Sequence, residues 1–327
     1  MKKKILLLLP LLLAGCGFLP APREMEDMAL IRTMGVDASG EELLLTAAHG
    51  EESRSALSPT LAGACLAMKG QGEEFLFFGC ADQVLIGEKL AQDGITPVLK
   101  GLSGDGELSL GANLWLLEGP ASACVNTFPE RRLETLRRDG ALGTASLTRT
   151  AGEVYADILD WGTAWAPALS LEKDSLTQSG YAVLERDKLR GILKGEDARG
   201  LEFLLNKPRR EQLTAENRRG WLLKADTDCR FRQGGALLIR CHAVVRLGEG
   251  DGLPPDDDFK RALEEQLTRR LRGALEKLQG WGTDCTGLGR KAGCLSPILW
   301  RSLSSDWPEH FRAQKPDIQV RVSLRPH

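Results

Sequence analysis

The chain has 327 residues, 42% hydrophobic and 27% charged, with a formal charge of −2. That balance, with no basic stripe, excludes a nucleic-acid binder. At 6% aromatic and with 36 glycines, the composition is that of a turn-rich globular protein rather than a Trp- and Tyr-lined carbohydrate surface. The length exceeds what one core usually fills, so two or three lobes are expected.

The first sixteen residues read as an export signal. Lys2, Lys3 and Lys4 form a positive start, and an apolar run follows from 5 to 13, broken by Pro10. The run is too short to span a bilayer, which takes roughly 20 apolar residues. It ends in Leu13-Ala14-Gly15-Cys16, the pattern of a bacterial lipobox. Ala14 and Gly15 are small enough to enter a peptidase extended, so cleavage is expected between Gly15 and Cys16. The Cys16 thiol is the expected acceptor of a diacylglyceryl group. Two acyl chains anchor at about 0.8 kcal/mol per buried methylene, roughly 20 kcal/mol as an upper bound. Residues 1–15 are thus a removed signal and 16–23 a Pro-containing, lipidated tether. Losing three lysines takes the formal charge from −2 to −2 − 3 = −5.

Lipidation of Cys16 leaves seven cysteines: Cys65, Cys80, Cys124, Cys229, Cys241, Cys285 and Cys294. An exported location permits disulfides, but an odd number cannot all pair within the chain. No two show Cys-x-x-Cys spacing. Cys229 and Cys241 flank the turn Gly234-Gly235 and are placed to face each other across two strands. Free buried thiols are the simpler expectation, since cysteine is among the most buried residue types.

In chain order, 29–36 and 43–48 read as strands around a turn at Asp37-Ala38-Ser39-Gly40. Residues 60–69 have helical composition, 75–78 form a short buried strand, and 88–93 and 95–102 are helices parted by Gly94. A strand is expected over 108–117 and a helix over 147–159, with the remainder of 120–166 unpatterned. Four arginines with Glu134 among them fill 131–138, the mark of a solvated helix face. Residues 181–193 read as a hairpin turning at Asp187-Lys188, and 196–205 as a helix. Two longer strands follow, 220–232 and 236–247. Phe259, Leu263, Leu267, Leu271, Leu275 and Leu278 line one face of a long helix, with Asp256, Asp257 and Asp258 at its start. Residues 318–324 alternate strictly and read as a last strand. The fold expected is α+β and multi-lobed, with mixed or antiparallel sheets and packed helices. In the C-terminal half the long helix lies on an antiparallel sheet. The expected units are 24–175 and 176–327, the first of them holding one lobe or two.

Several short motifs recur in order: Arg23-Glu24-Met25-Glu26-Asp27, Met34-Gly35-Val36-Asp37, Phe77-Phe78-Gly79 and Leu85-Ile86-Gly87-Glu88. Gly180-Tyr181-Ala182-Val183, Asp187-Lys188-Leu189-x-Gly191 and Ala198-Arg199-Gly200-Leu201 follow. Leu278-Gln279, Asp284, Gly287 and Gly289 precede Trp300, Trp307 and Phe311. With the lipobox, this order resembles the Ger(x)C family, the lipoprotein C subunits of spore germinant receptors. The resemblance is strongest over 180–324. It implies a lobed α/β protein with no catalytic site and no cofactor, on the outer face of the spore inner membrane. Its partners there would be the bilayer, through the Cys16 lipid, and the membrane-embedded A and permease-like B subunits, with no nucleic acid.

No nucleophile elbow, His-Glu-x-x-His, Walker loop or dinucleotide fingerprint is present. His49, His242, His310 and His327 lack ligand spacing, so no metal or catalytic residue is assigned. Asp284, Gly287 and Gly289 suggest either a ligand loop or, more simply, a glycine-rich turn after the helix. Trp300 and Trp307 suit a core or a partner-facing patch. The alternative functions are a solute-binding lipoprotein of a transporter and a lipid-anchored cell-wall enzyme.

Overall fold

The computed structural model describes residues 28–248 and 257–325, apart from 51, 73, 105 and 174. Its N-terminal part is built on an eight-stranded sheet. In chain order the strands are β1 (Met28–Leu30), β2 (Thr33–Ser39), β3 (Glu42–His49), β4 (Glu52–Ser58), β5 (Phe75–Phe77), β6 (Gln83–Gly87), β7 (Asn113–Glu118), β8 (Thr163–Glu172), β9 (Ser175–Glu185) and β10 (Lys188–Lys194). The large sheet has the order β10-β9-β8-β7-β6-β2-β3-β4, and β1 and β5 pair separately. Its centre, β2, β6, β7 and β8, is parallel, and antiparallel hairpins extend both flanks.

Parallel strands are buried on both faces and read as continuous apolar runs. β6 shows this, with all five residues buried. Val84 and Ile86 face one core with α1 (Leu61–Lys69), α3 (Thr96–Gly104) and α6 (Ala151–Trp161). Leu85 faces the other way, with Trp115 and Leu117, onto α4 (Ala121–Val125) and α5 (Glu130–Ala141). The short α2 (Glu88–Asp93) follows β6 directly. Thr60 caps α1 through the Gly63 N–H, and Thr150 with Glu153 forms a reciprocal capping box on α6.

The C-terminal lobe places α7 (Gly195–Leu204) and the 25-residue α8 (Asp257–Trp281) against β11 (Gln212–Ala215), β12 (Arg218–Phe231), β13 (Leu237–Leu247) and β14 (Asp317–Arg325). The six apolar residues expected on the long helix are all buried, and the apolar face extends through Ala274. Asp257 and Asp258 occupy its first turn, favourable to the helix dipole, while Asp256 lies outside the described residues. α7 and α8 cross closely at Gly200, where a Cβ would stand 2.1 Å from the Arg270 carbonyl oxygen. Three short helices, α9 (Leu288–Leu295), α10 (Pro297–Leu303) and α11 (Trp307–Ala313), lead into β14.

The sheet under α8 is mixed rather than purely antiparallel. β11, β12 and β13 form an antiparallel meander, but β14 joins β13 in parallel. A parallel neighbour requires a long crossover, and α8 to α11 supply it. In the N-terminal part, the strand expected over 108–117 begins only at Asn113, because 108–112 turn back toward α6: Ala151 and Gly152 donate to the Ala112 and Leu110 carbonyls. β4 and β8 carry no sequence expectation. β4 is polar because it is the sheet's edge, and β8 contains Pro167, which usually argues against an inner strand. Pro167 is tolerated because pairing with β7 starts at Ala168.

Candidate functional site

The lipidation site Cys16, the cleavage site Gly15 and the segment 23–27 lie outside the described residues. Every later motif residue has a structural position, and the geometry shows how each is used.

Asp37 closes β2. Its carboxylate accepts from the Ala121 and Ser122 N–H groups, 2.7 and 2.8 Å away, at the start of α4. A Cβ on Gly87 would lie 1.9 Å from the same carboxylate, and one on Gly35 would meet Val125 and Ala121. These three residues therefore seat α4 across the carboxyl ends of β2 and β6. That crevice is where open α/β sheets commonly bind ligands. Here Asp37 already satisfies the Ala121 and Ser122 donors facing it, and the rim carries Glu88 and Asp93 with one cation, Lys89.

Asp284 works similarly beyond α8. It accepts from the Leu288 and Gly289 N–H groups at 2.9 Å, the Trp307 indole at 3.0 Å and the Thr286 hydroxyl at 3.1 Å. Gly287, at φ +68°, makes the turn, and Cβ atoms on Gly289 or Gly293 would stand 2.4 Å from the Trp307 and Trp300 rings. The Trp300 and Trp307 rings meet edge-on at 5.2 Å, with Phe231 and Phe311 beside them. The glycine-rich loop is thus a turn and cap, and Trp307 is core.

A third acid carries no sequence expectation. Glu202 on α7 is 1% exposed and accepts from the Tyr181 hydroxyl at 2.6 Å, from Arg209 Nη2 at 2.7 Å and from Arg199 Nη1 at 3.2 Å. Tyr181 Oη in turn accepts from the Leu147 N–H, and Arg209 donates to the Ser146 hydroxyl. Burial pushes the Glu202 carboxyl up, while Tyr181 and Arg199 hold it down. Burial likewise raises the Tyr181 phenol well above its ordinary value. The only sequence signal was an acid three residues after Arg199 in an apolar helix. Its partners are scattered from 146 to 209 and meet only in the fold.

The other polar groups are dispersed. His242 Nε2 lies 2.8 Å from the Ser323 hydroxyl, and His49 Nδ1 lies 3.4 Å from the Leu30 carbonyl. His310 is on α11, and His327 is outside the described residues. Among the described residues no three His, Cys, Asp or Glu side chains group as a metal site. No disulfide joins any two of the seven cysteines among the described residues. Cys229 and Cys241 are not direct partners, since Cys229 pairs with Ile239 and Cys241 with Thr227. Cys80 and Cys294 are exposed, contrary to the expectation that all are buried, because one sits in the turn after β5 and the other on the outer side of α9. Burial lifts the Cys124 and Cys229 thiols to about 12 and Cys241 to about 11.

This architecture is of the α+β class, a mixed eight-stranded sheet followed by a four-stranded sheet covered by a long helix. Residues 22–170 match the "Spore germination protein N-terminal domain" and residues 179–327 match "Spore germination B3/ GerAC like, C-terminal". The chain belongs to the Ger(x)C family. It is 26% identical over 269 residues to the "Putative spore germination protein YfkR" of Bacillus subtilis (strain 168), covering 73% of this chain and 68% of that one. Its fold is similar to that in the crystal structure of the GerBC protein, with a TM-score of 0.63 and 16% identity over 89% of this chain and 96% of that one.

Proposed function

We propose that this chain is the non-enzymatic C subunit of a nutrient germinant receptor, anchored by a lipid on Cys16. It is held at the outer face of the spore inner membrane, against the A- and B-type membrane subunits. One observation carries the reading. The acids best placed to serve as ligands or catalysts already hold donors from the chain itself: two backbone N–H groups on the half-buried Asp37, four donors on Asp284, and Tyr181, Arg199 and Arg209 on Glu202. A buried carboxylate already holding several donors has little capacity left for a substrate. Function then falls to the surfaces. The family units, taken as 24–175 and 176–327, meet at the β8–β9 turn inside one sheet, which favours a single body presented to partners. No helix among the described residues is long and apolar enough to cross a membrane.

The test is purification of a tagged chain from spores. Recovery with a permease-like membrane protein is expected; a chain that comes out with no membrane partner would refute the assignment. Cys16→Ala is expected to leave the lobes folded but to deplete the chain from membranes and slow germination. Undiminished membrane recovery of that variant would show that partner contacts suffice without lipid.

A further inference from the structure

The C-terminal sheet has one face against α8 and one facing outward. Outward positions alternate along the strands: Trp221, Arg246 and Arg325 form one row across β12, β13 and β14, and Asp226, His242 and Arg321 another. All six are exposed. Charge is not spread evenly along this face. The acids Asp226 and Asp228 lie in the half nearer the Gly234 turn, opposite His242 and Arg240. In the half toward β11, the strand positions facing outward carry Arg219, Lys224, Arg246 and Arg325 and no carboxylate. Lys224 reaches Asp226 at 3.4 Å, whereas Arg246 and Arg325 form no ion pair among the described residues. Between these cations stand two large apolar side chains, Trp221 at 42% and Leu223 at 40% exposure. The register shift between Leu222 and Lys224 turns Leu223 outward beside Lys224.

We propose that this basic, Trp-bearing end of the sheet lies on the anionic headgroups of a phospholipid bilayer. The proposal rests on the reading that the chain is held at a membrane. Arginine and lysine attract an anionic leaflet, and tryptophan favours the headgroup level, where its apolar ring and N–H are both accommodated. An acidic protein surface would match the arginines, but it would leave an open Trp221 and Leu223 without a use. The twelve residues from Cys16 to Met28 reach at most about 40 Å, which keeps the chain close to a bilayer that holds the lipid. The patch would fix how the lobes stand on the bilayer, which a single point of lipid attachment cannot do.

The experiment uses residues 16–327 carrying Cys16→Ser, so that no lipid contributes. Sedimentation is measured with vesicles of phosphatidylglycerol mixed with phosphatidylcholine, and with phosphatidylcholine alone. Binding is expected only to the anionic vesicles and should weaken as salt rises. Each cation near such a surface contributes about a factor of five, so Arg246→Glu with Arg325→Glu should weaken binding at least about thirtyfold. Arg131→Glu on α5, exposed but elsewhere, should change nothing. Brominated lipids should quench tryptophan emission, and Trp221→Phe should remove most of that quenching. Failure to sediment with anionic vesicles, or equal binding by the double variant at unchanged melting temperature, would overturn the proposal. So would a double variant that loses membrane partners in spores while the parent never binds vesicles, since the face would then meet protein. Fatty-acid labelling of the exported chain tests Cys16 separately, and an unlabelled cysteine would leave the vesicle result standing.

Discussion

Asp37 and Asp284 show what a single carboxylate does in this chain: each gathers backbone N–H groups that a helix start leaves without partners. Asp284 also takes the Trp307 indole, so Asp284→Ala strips an acceptor from several buried donors at once. The expected cost is about 3 kcal/mol, read as a lower urea midpoint with altered near-UV dichroism from the Trp300–Trp307 pair. Asp284→Asn, which keeps one acceptor oxygen, should cost less. The thiols give a second check at this scale. Cys80 and Cys294 should react with a neutral-pH thiol reagent in the folded protein, while Cys124, Cys229 and Cys241, pushed to about 11 or 12, should react only after unfolding. Asp284 and its glycines were visible in the sequence as a pattern, and the turn reading of them holds. Glu202 was not visible, because nothing local marks an acid whose partners come from 146, 147, 181 and 209.

Among the elements, α8 was the most legible, since its apolar spacing from Phe259 to Leu278 covers about five turns and tertiary packing agrees with it. Its crossing with α7 was not legible. Gly200 sits where α7 meets the α8 backbone, so Gly200→Ala should cost about 2 kcal/mol or more by overpacking, measurable by thermal melting. α5 shows why a charge run can be read only in part. Leu133 and Leu136 are buried beneath it, and Glu134 accepts from Arg137 and Arg138 on the other side. The Arg137 hydrogen bond, with help from Arg138, holds the Glu134 carboxyl at about 2 against an ordinary value of 4.5. A carboxyl lowered on folding stabilises above its unfolded value and loses that contribution as pH falls toward its folded one. Glu134→Gln should therefore be less stable than the parent at neutral pH, with the gap closing between about 4.5 and 2 in urea titrations at stepped pH. β8 escaped the sequence because Pro167 and its alanines give a weak strand signal; only pairing with β9 along its length makes it a strand.

For the whole molecule, β9 is the joint. Ala182 and Leu184 enter the N-terminal core, and Tyr181 and Val183 the C-terminal one, so successive residues of one strand serve both. The Tyr181–Glu202–Arg209–Ser146 network lies at this joint, and removing its acid leaves the largely covered Arg209 guanidinium without its carboxylate. Glu202→Ala should cost about 4 kcal/mol and broaden the calorimetric transition as the halves uncouple; Tyr181→Phe should cost about 1 kcal/mol. A single sharp transition of undiminished stability in Glu202→Ala would show that the network does not couple the lobes. The sequence by itself determined the long helix, the hairpins and the family, because these rest on local spacing and on the order of short motifs. Tertiary structure decided the parallel centre of the large sheet, the sharing of β9 and the parallel pairing of β14. It also decided that Asp37, Asp284 and Glu202 are spent on the protein's own donors. Those outcomes depend on contacts between residues far apart in the chain, and no local pattern encodes which distant strand or carboxylate will be nearest.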